Sequence, residues 1–343
     1  MEEGPVSGVS QILYRPFVLA LGLIGVRGVI ACSLPFVLFL LPNAYANGFQ
    51  NKVAQLVSNI GKAAPFEHKV LLDKGRILSA GLKRYSWSIG LDIKNIREHG
   101  ISPGLLLSSL PSDLQRIDSP KLRKVLFIQA ALPLILEVNQ KLLSDRSKIK
   151  STFKEKSRGI ILDASKKKWL ETIQKNYGLT DLGQQYNAAF FDAMLKRVDI
   201  VPVSMALAQS AEESGWGTSR FAHEGNALFG QRVWRSATGM IPRLRPRGEK
   251  FLVRSFNNLL ESVWAYALNL NTHPAYIDFR VARRNLRLAG EDVVGLKLIG
   301  KLGNYSEKGE EYVRKIENII KLNQLEQFDG ARQLNSKQSP VPF

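Results

Sequence analysis

The sequence predicts a mainly helical protein (mainly α, α+β) with one small β element in its C-terminal half. Apolar stripes at helical spacing recur through the second two-thirds of the chain. Only residues 228–256 read as extended. The hydrophobic fraction is 45%, enough for a packed core, so a disordered chain is excluded. At 343 residues, and roughly 150 residues per domain, about two units are expected.

The first 46 residues form a leader. Residues 17–26 are apolar, Arg27 interrupts, and residues 28–41 are apolar again. Ala44, Tyr45 and Ala46 then supply a small-x-small end. A charge, an apolar run and such an end make a secretory signal, with the cut after Ala46. Retention as a membrane anchor is the second reading. It would set Arg27 mid-membrane at a cost of about 2.5–3.5 kcal/mol. Val29, Ile30, Ala31 and Cys32 also resemble a lipobox, but the residues after Cys32 are strongly apolar, and a mature lipoprotein starts polar. Cleavage is preferred. All three readings export the remainder to the periplasm or cell envelope.

The net charge is +18. Arg15 and Arg27 balance Glu2 and Glu3 in the leader, so the excess lies on the rest of the chain. A polyanionic partner or surface is expected: nucleic acid, anionic headgroups or the carboxylates of a cell wall. Cys32 is the single cysteine, so no disulfide framework and no thiolate metal site is possible.

Residues 47–117 mix short apolar runs with turns such as Ser102, Pro103 and Gly104, and read as a helical extension without assigned chemistry. Asp118, Ser119 and Pro120 mark a helix start. Val125, Ile128, Leu132 and Ile135 then share one face, with a kink expected at Pro133. Residues 148–168 are basic and read as a loop or a frayed helix. Later helical stripes are Phe191, Met194, Leu195 and Val198; Leu260, Val263, Trp264, Ala267 and Leu268; and Tyr312, Ile316, Ile319 and Ile320. All read as core. Residues 231–235 and 250–256 read as strands joined by a loop rich in Gly, Pro and Arg. From Asp329 to the end the chain reads as a disordered polar tail.

The chemistry is carried by the run from Val201 to Gly217. Asp199 is a candidate cap, Pro202 suits a first turn, and the residues up to Glu213 favour helix. Gly215 is placed to end the helix in the left-handed conformation. Glu213 then lies in the last turn, where the helix dipole opposes a negative charge. Burial would oppose it further. Both effects favour a carboxyl group that keeps its proton and can donate it. Ala206, Gln209 and Ser210 share the face of Glu213 and leave room for a groove. On position alone, Glu212 and Glu213 read equally well as solvated acids at a helix end.

The longer pattern decides between these. Glu213, Ser214, Gly215, Trp216, Gly217, Thr218 and Ser219 are followed by Asn226, Ala227, Leu228, Phe229 and Gly230. Further on come residues 269–276, from Asn269 through His273 to Tyr276, and residues 303–309, with Tyr305. In this order the motifs resemble the glucosaminidase domain of bacterial peptidoglycan hydrolases, in its Bax-like branch. The resemblance is strong over 190–325, weaker over 118–190, and absent before. It implies a catalytic domain at 118–328.

The resemblance implies a lysozyme-like helical body with a β-lobe at 228–256, and a cleft between them. It implies cleavage of the β-1,4 glycan strand of peptidoglycan after N-acetylglucosamine. Glu213, directly before Ser-Gly-Trp, takes the place of the general acid. Tyr276 takes the place of a tyrosine beside the reacting sugar. Trp216 and Phe229 are expected to hold the cleft walls. Asn226, Trp216 and Tyr305 are candidate substrate contacts.

One departure matters. Glycosidases commonly pair the acid with a second carboxylate, ~5–5.5 Å away when retaining and ~6.5–9.5 Å when inverting. Residues 231–248 hold no Asp or Glu and are instead basic. Glu249 is the nearest candidate; Glu224 and Asp278 are remoter. Either Glu249 serves as base, or the N-acetyl group of the substrate attacks, which is preferred because Glu249 sits beside Lys250 in a loop. His68, His99, His223 and His273 show no metal-ligand spacing, so no metal and no organic cofactor is expected. Rival readings are a lytic transglycosylase, a membrane-tethered protein that holds peptidoglycan without cutting it, and a nucleic-acid binder. The last rests on charge alone, and the leader argues against it.

Overall fold

The chain divides into two units, Met1–Leu34 and Pro35–Phe343. The computed structural model describes residues 71–72, 78–234, 239–243, 245 and 248–334, all in the second unit. The leader expected at 1–46 lies outside the described residues.

A long helix, Pro120–Ser157, is the axis of the described part. It starts as its sequence requires. Ser119 caps it by accepting from the Leu122 N–H (3.3 Å), and Pro120 occupies the first turn, where its missing N–H costs nothing. The helix runs unbroken through Pro133, where a kink was expected. Residues from Leu126 to Asn139 are all buried, so packing around the helix offsets the hydrogen bond lost at Pro133 and the helix continues past it. By length and composition this helix could cross a membrane, yet 83% of its most apolar window is buried inside the protein. It is a core helix here.

The basic stretch 148–168 is not a loop. The long helix continues to Ser157, and a second helix, Ala164–Asn176, follows after a short turn. Tertiary contacts override the local charge repulsion. Phe153 packs on Phe191 (5.0 Å between centroids), Lys148 lies over the Trp169 ring at 4.2 Å, and Lys166 pairs with Glu155 at 2.6 Å.

The fold around this axis is mainly helical, as expected. The motif helix Val203–Ser214 and the helix Leu259–Thr272 pack on the axis, and the helix Glu310–Leu322 packs on the motif helix. The β-lobe is a three-stranded antiparallel sheet. Leu252–Arg254 is its centre, flanked by Arg232–Val233 and by Gly239–Met240. The expected pair of strands is present, and Gly239–Met240 is an added third. Gly239 admits it: a Cβ there would lie 2.7 Å from the Leu252 side chain.

Residues 78–117 do not stand apart. Leu82, Ile96, Leu106 and Leu114 share one hydrophobic core with the rest of the body. The tail expected from Asp329 is likewise part of the fold as far as Leu334. Arg332–Gln333 pairs in parallel with Ile101–Ser102.

Candidate active site

The motif helix is held at its start by buried polar contacts. Asn139 of the long helix clamps Val201, donating to its carbonyl (2.7 Å) and accepting from its N–H (3.1 Å). Asp199 does not cap the helix. It is 1% exposed and pairs with Arg287 (3.0 Å) and Arg146 (3.4 Å). Burial alone would raise its carboxyl, but Arg283, Arg287 and Arg146 outweigh it and hold the carboxyl below the usual range. The cap comes instead from Asp329, which accepts from the Ser204 N–H (2.8 Å) and hydroxyl (2.7 Å), and from the Gly295 N–H (2.9 Å).

The other end follows the sequence reading. Gly215 closes the helix in the left-handed conformation (φ 59°, ψ 47°). Trp216 (φ 57°) and Gly217 (φ 78°) continue in it, so the turn is three residues of positive φ. For tryptophan this costs roughly 1–2 kcal/mol. Its ring offsets that by packing edge-on to Phe127 (5.8 Å) beneath Lys124 (4.8 Å). Gly217 is required by space, since a Cβ there would lie 2.8 Å from Leu114 and 2.9 Å from Phe127. Ser214 ties the turn, accepting from the Gly217 N–H at 2.9 Å.

Glu213 thus faces the junction of body and lobe. The residue keeps some exposed surface, while its carboxyl is enclosed by protein atoms. Burial pushes that carboxyl up to about 8, and the neighbouring Glu212 adds to this. A hydrogen bond from Tyr312 and the charges of Lys315 and Arg232 act in the opposite sense and do not win. Near neutral pH the group is a protonated acid. Glu212 is committed elsewhere, in an ion pair with Lys315 of the C-terminal helix (2.5 Å).

The Tyr312 hydroxyl donates to Glu213 Oε1 at 3.1 Å. Gln209 donates to Tyr312 (3.0 Å) and accepts from Tyr266 (2.5 Å). Tyr266 stacks on Phe229 at 3.8 Å, and Tyr305 stacks on Tyr312 at 5.5 Å. Tyr276 lies 6.0 Å from Tyr305 and is fully buried. Burial raises the phenols of Tyr266, Tyr276, Tyr305 and Tyr312, so all stay neutral. From the lobe side, Gly230 (φ 58°) passes close to the acid. A Cβ on it would be 3.4 Å from Glu213 Oε2.

The structure therefore gathers Glu213, Tyr276 and Tyr305 into one cluster. Trp216 is placed against Phe127 and Lys124. Asn226 (φ 49°) ends the short helix Arg220–Gly225 and donates to the carbonyls of Phe256 (3.2 Å) and Asn257 (3.3 Å), tying lobe to body. Glu249 is exposed on the lobe, in the field of Arg232, whose guanidinium also feels Glu307 and Glu213. Glu224 pairs with Arg220 (3.1 Å), and Asp278 is exposed. The sequence reading missed Tyr312, Tyr266 and Gly230 as members of the site. The available signal was a tyrosine in an otherwise isoleucine-rich stripe, since a buried phenol needs a partner.

An enclosed carboxyl at a helix end, facing a β-lobe from a mainly helical body, is an arrangement compatible with a glycoside hydrolase-like enzyme. Comparison with known proteins agrees. The family model for mannosyl-glycoprotein endo-beta-N-acetylglucosaminidase (glucosaminidase) matches residues 188–325. The protein named Protein bax of Escherichia coli (strain K12) is 36% identical over 205 residues, covering 60% of this chain and 71% of that one. The chain belongs to this glucosaminidase family, in its Bax-like group. No solved structure matches it.

Proposed function

We propose that this chain is an exported endo-β-N-acetylglucosaminidase that cuts the β-1,4 glycan strand of peptidoglycan, with Glu213 as general acid. The observation that carries the reading is the enclosed Glu213 carboxyl, held protonated near neutral pH at the meeting of body and lobe. A general acid works best when its pKa lies near the working pH. The family membership supports a peptidoglycan-type glycan as substrate.

The second group is the N-acetyl arm of the substrate itself. Glu249 is solvent-exposed and stands next to Lys250, an arrangement suited to a solvated loop rather than to a base. Tyr276 and Tyr305 are buried in the aromatic cluster beside Glu213, where Tyr276 is the residue that the family pattern sets near the reacting sugar. The lobe arginines and the net charge of +18 attract the acidic stem peptides. Export follows from the leader, with cleavage after Ala46 and retention as an inner-membrane anchor as its two forms.

Digestion of purified peptidoglycan by the full chain, with mass spectrometry of the products, tests this. Reducing N-acetylglucosamine ends are expected, and none from Glu213→Gln. Anhydro-muramic ends would make the enzyme a lytic transglycosylase. Binding without products from folded protein would make it a non-catalytic wall-binding protein.

A further inference from the structure

Gln209 is fully buried behind Glu213, and both ends of its amide are engaged. The two distances distinguish those ends. The contact to Tyr266 is 2.5 Å, a length found for O–H···O bonds and too short for an amide N–H donor. The contact to Tyr312 is 3.0 Å, ordinary for N–H···O. The amide oxygen therefore faces Tyr266 and the amide nitrogen faces Tyr312. The Tyr266 ring cannot easily turn away, because it is stacked flat on Phe229 with an interplanar angle of 6°.

This fixes a direction for the whole chain of bonds. An amide nitrogen only donates, so the Tyr312 oxygen accepts from it. The Tyr312 O–H is placed to donate to Glu213 Oε1, 3.1 Å away. The carbonyl oxygen of a protonated carboxyl is its better acceptor, so a bond accepted at Oε1 favours the acid proton on the other oxygen. The other oxygen, Oε2, is the one approached by Gly230 of the lobe.

We propose that Gln209 and Tyr312 are positioning residues that keep the acidic proton of Glu213 on Oε2, the oxygen turned toward the lobe, with Tyr266 setting the direction of the amide. The inference rests on the reading of Glu213 as the acid. In catalysis the O–H bond at Oε2 breaks as the proton passes to the leaving glycosidic oxygen. Tyr312 stays in place and stabilises the carboxylate that forms at Oε1. Gly230, with its positive φ, keeps the lobe backbone beside Oε2.

The test is a pH profile of peptidoglycan digestion by the full chain carrying Tyr312→Phe or Tyr266→Phe, beside Glu213→Gln. Tyr312→Phe removes the donor that favours the charged carboxylate. Its kcat should fall roughly tenfold with KM held, and its basic limb should move to higher pH. Tyr266→Phe frees the amide to turn over, although it touches neither Glu213 nor substrate. Its kcat should fall by a smaller factor at unchanged KM. A purely structural role predicts lower melting temperatures with kcat and the basic limb unmoved, and that result in both folded variants overturns the proposal. An active Glu213→Gln would instead overturn the reading of the acid itself. Should Tyr312→Phe fail to fold, Tyr266→Phe decides alone.

Discussion

Glu213 links stability to pH in a direction that can be measured. Its carboxyl titrates at about 8 in the folded chain against an ordinary 4.5. Between those values the native state holds a proton that the unfolded chain has released, so stability is lost as pH rises through that window. Glu213→Gln removes this loss. The variant should be more stable than the wild type above pH 8 by on the order of a few kcal/mol, reduced by the water that reaches the residue, and equally stable near pH 4. Thermal unfolding across pH checks it; parallel curves would mean a carboxyl with ordinary titration. Glu249→Gln belongs to the same scale. With substrate assistance it should retain most of the activity, and a folded but inactive variant would restore Glu249 as the base. The place of Glu213 in the last turn was legible in the sequence, because Gly215 ends the helix there whatever the surroundings. Its partner was not. Tyr312 reads as one more residue of an apolar stripe, and its bond to Glu213 spans 99 residues of sequence.

At the scale of elements, the motif helix is held by groups far from it in sequence. Asp329 caps its first turn from 125 residues downstream. A side-chain cap contributes about 1–2 kcal/mol, and Asp329→Ala should lower stability by at least that much in denaturant unfolding, since the Gly295 N–H loses its acceptor too. A neutral result would mean that the last residues contribute nothing to the helix. Asp199→Asn should cost more, about 3–5 kcal/mol, because it leaves the buried Arg283 and Arg146 facing one another without their anion. Local signals gave the helix ends at Ser119 and Gly215 correctly, since both use their own neighbours. They misplaced Asp199 as a cap and Asp329 as the start of a disordered tail. An aspartate before a helix and a polar tail look the same whether their partners are water or a distant backbone.

At the scale of the molecule, the catalytic domain expected at 118–328 shares its core with residues on both sides. Leu82, Ile96, Leu106 and Leu114 complete that core, and Arg332–Gln333 pairs in parallel with Ile101–Ser102. A fragment of residues 118–328 should therefore aggregate or unfold at lower temperature than the full chain, which calorimetry would show. Equal stability would restore the boundary at 118. The helical class and the β-lobe were readable from periodicity because each depends on spacing within one element. The closing of residues 78–117 onto the body was not, because short apolar runs do not say what they pack against.

The central claim is that Glu213 is the acid of a glucosaminidase. Mass spectrometry of the glycan ends released from peptidoglycan by the full chain, followed as a function of pH, tests it most directly. The account predicts reducing N-acetylglucosamine ends, a basic limb near the Glu213 value of about 8, and loss of both product and limb in Glu213→Gln. The same ends released at an undiminished rate by folded Glu213→Gln would contradict it.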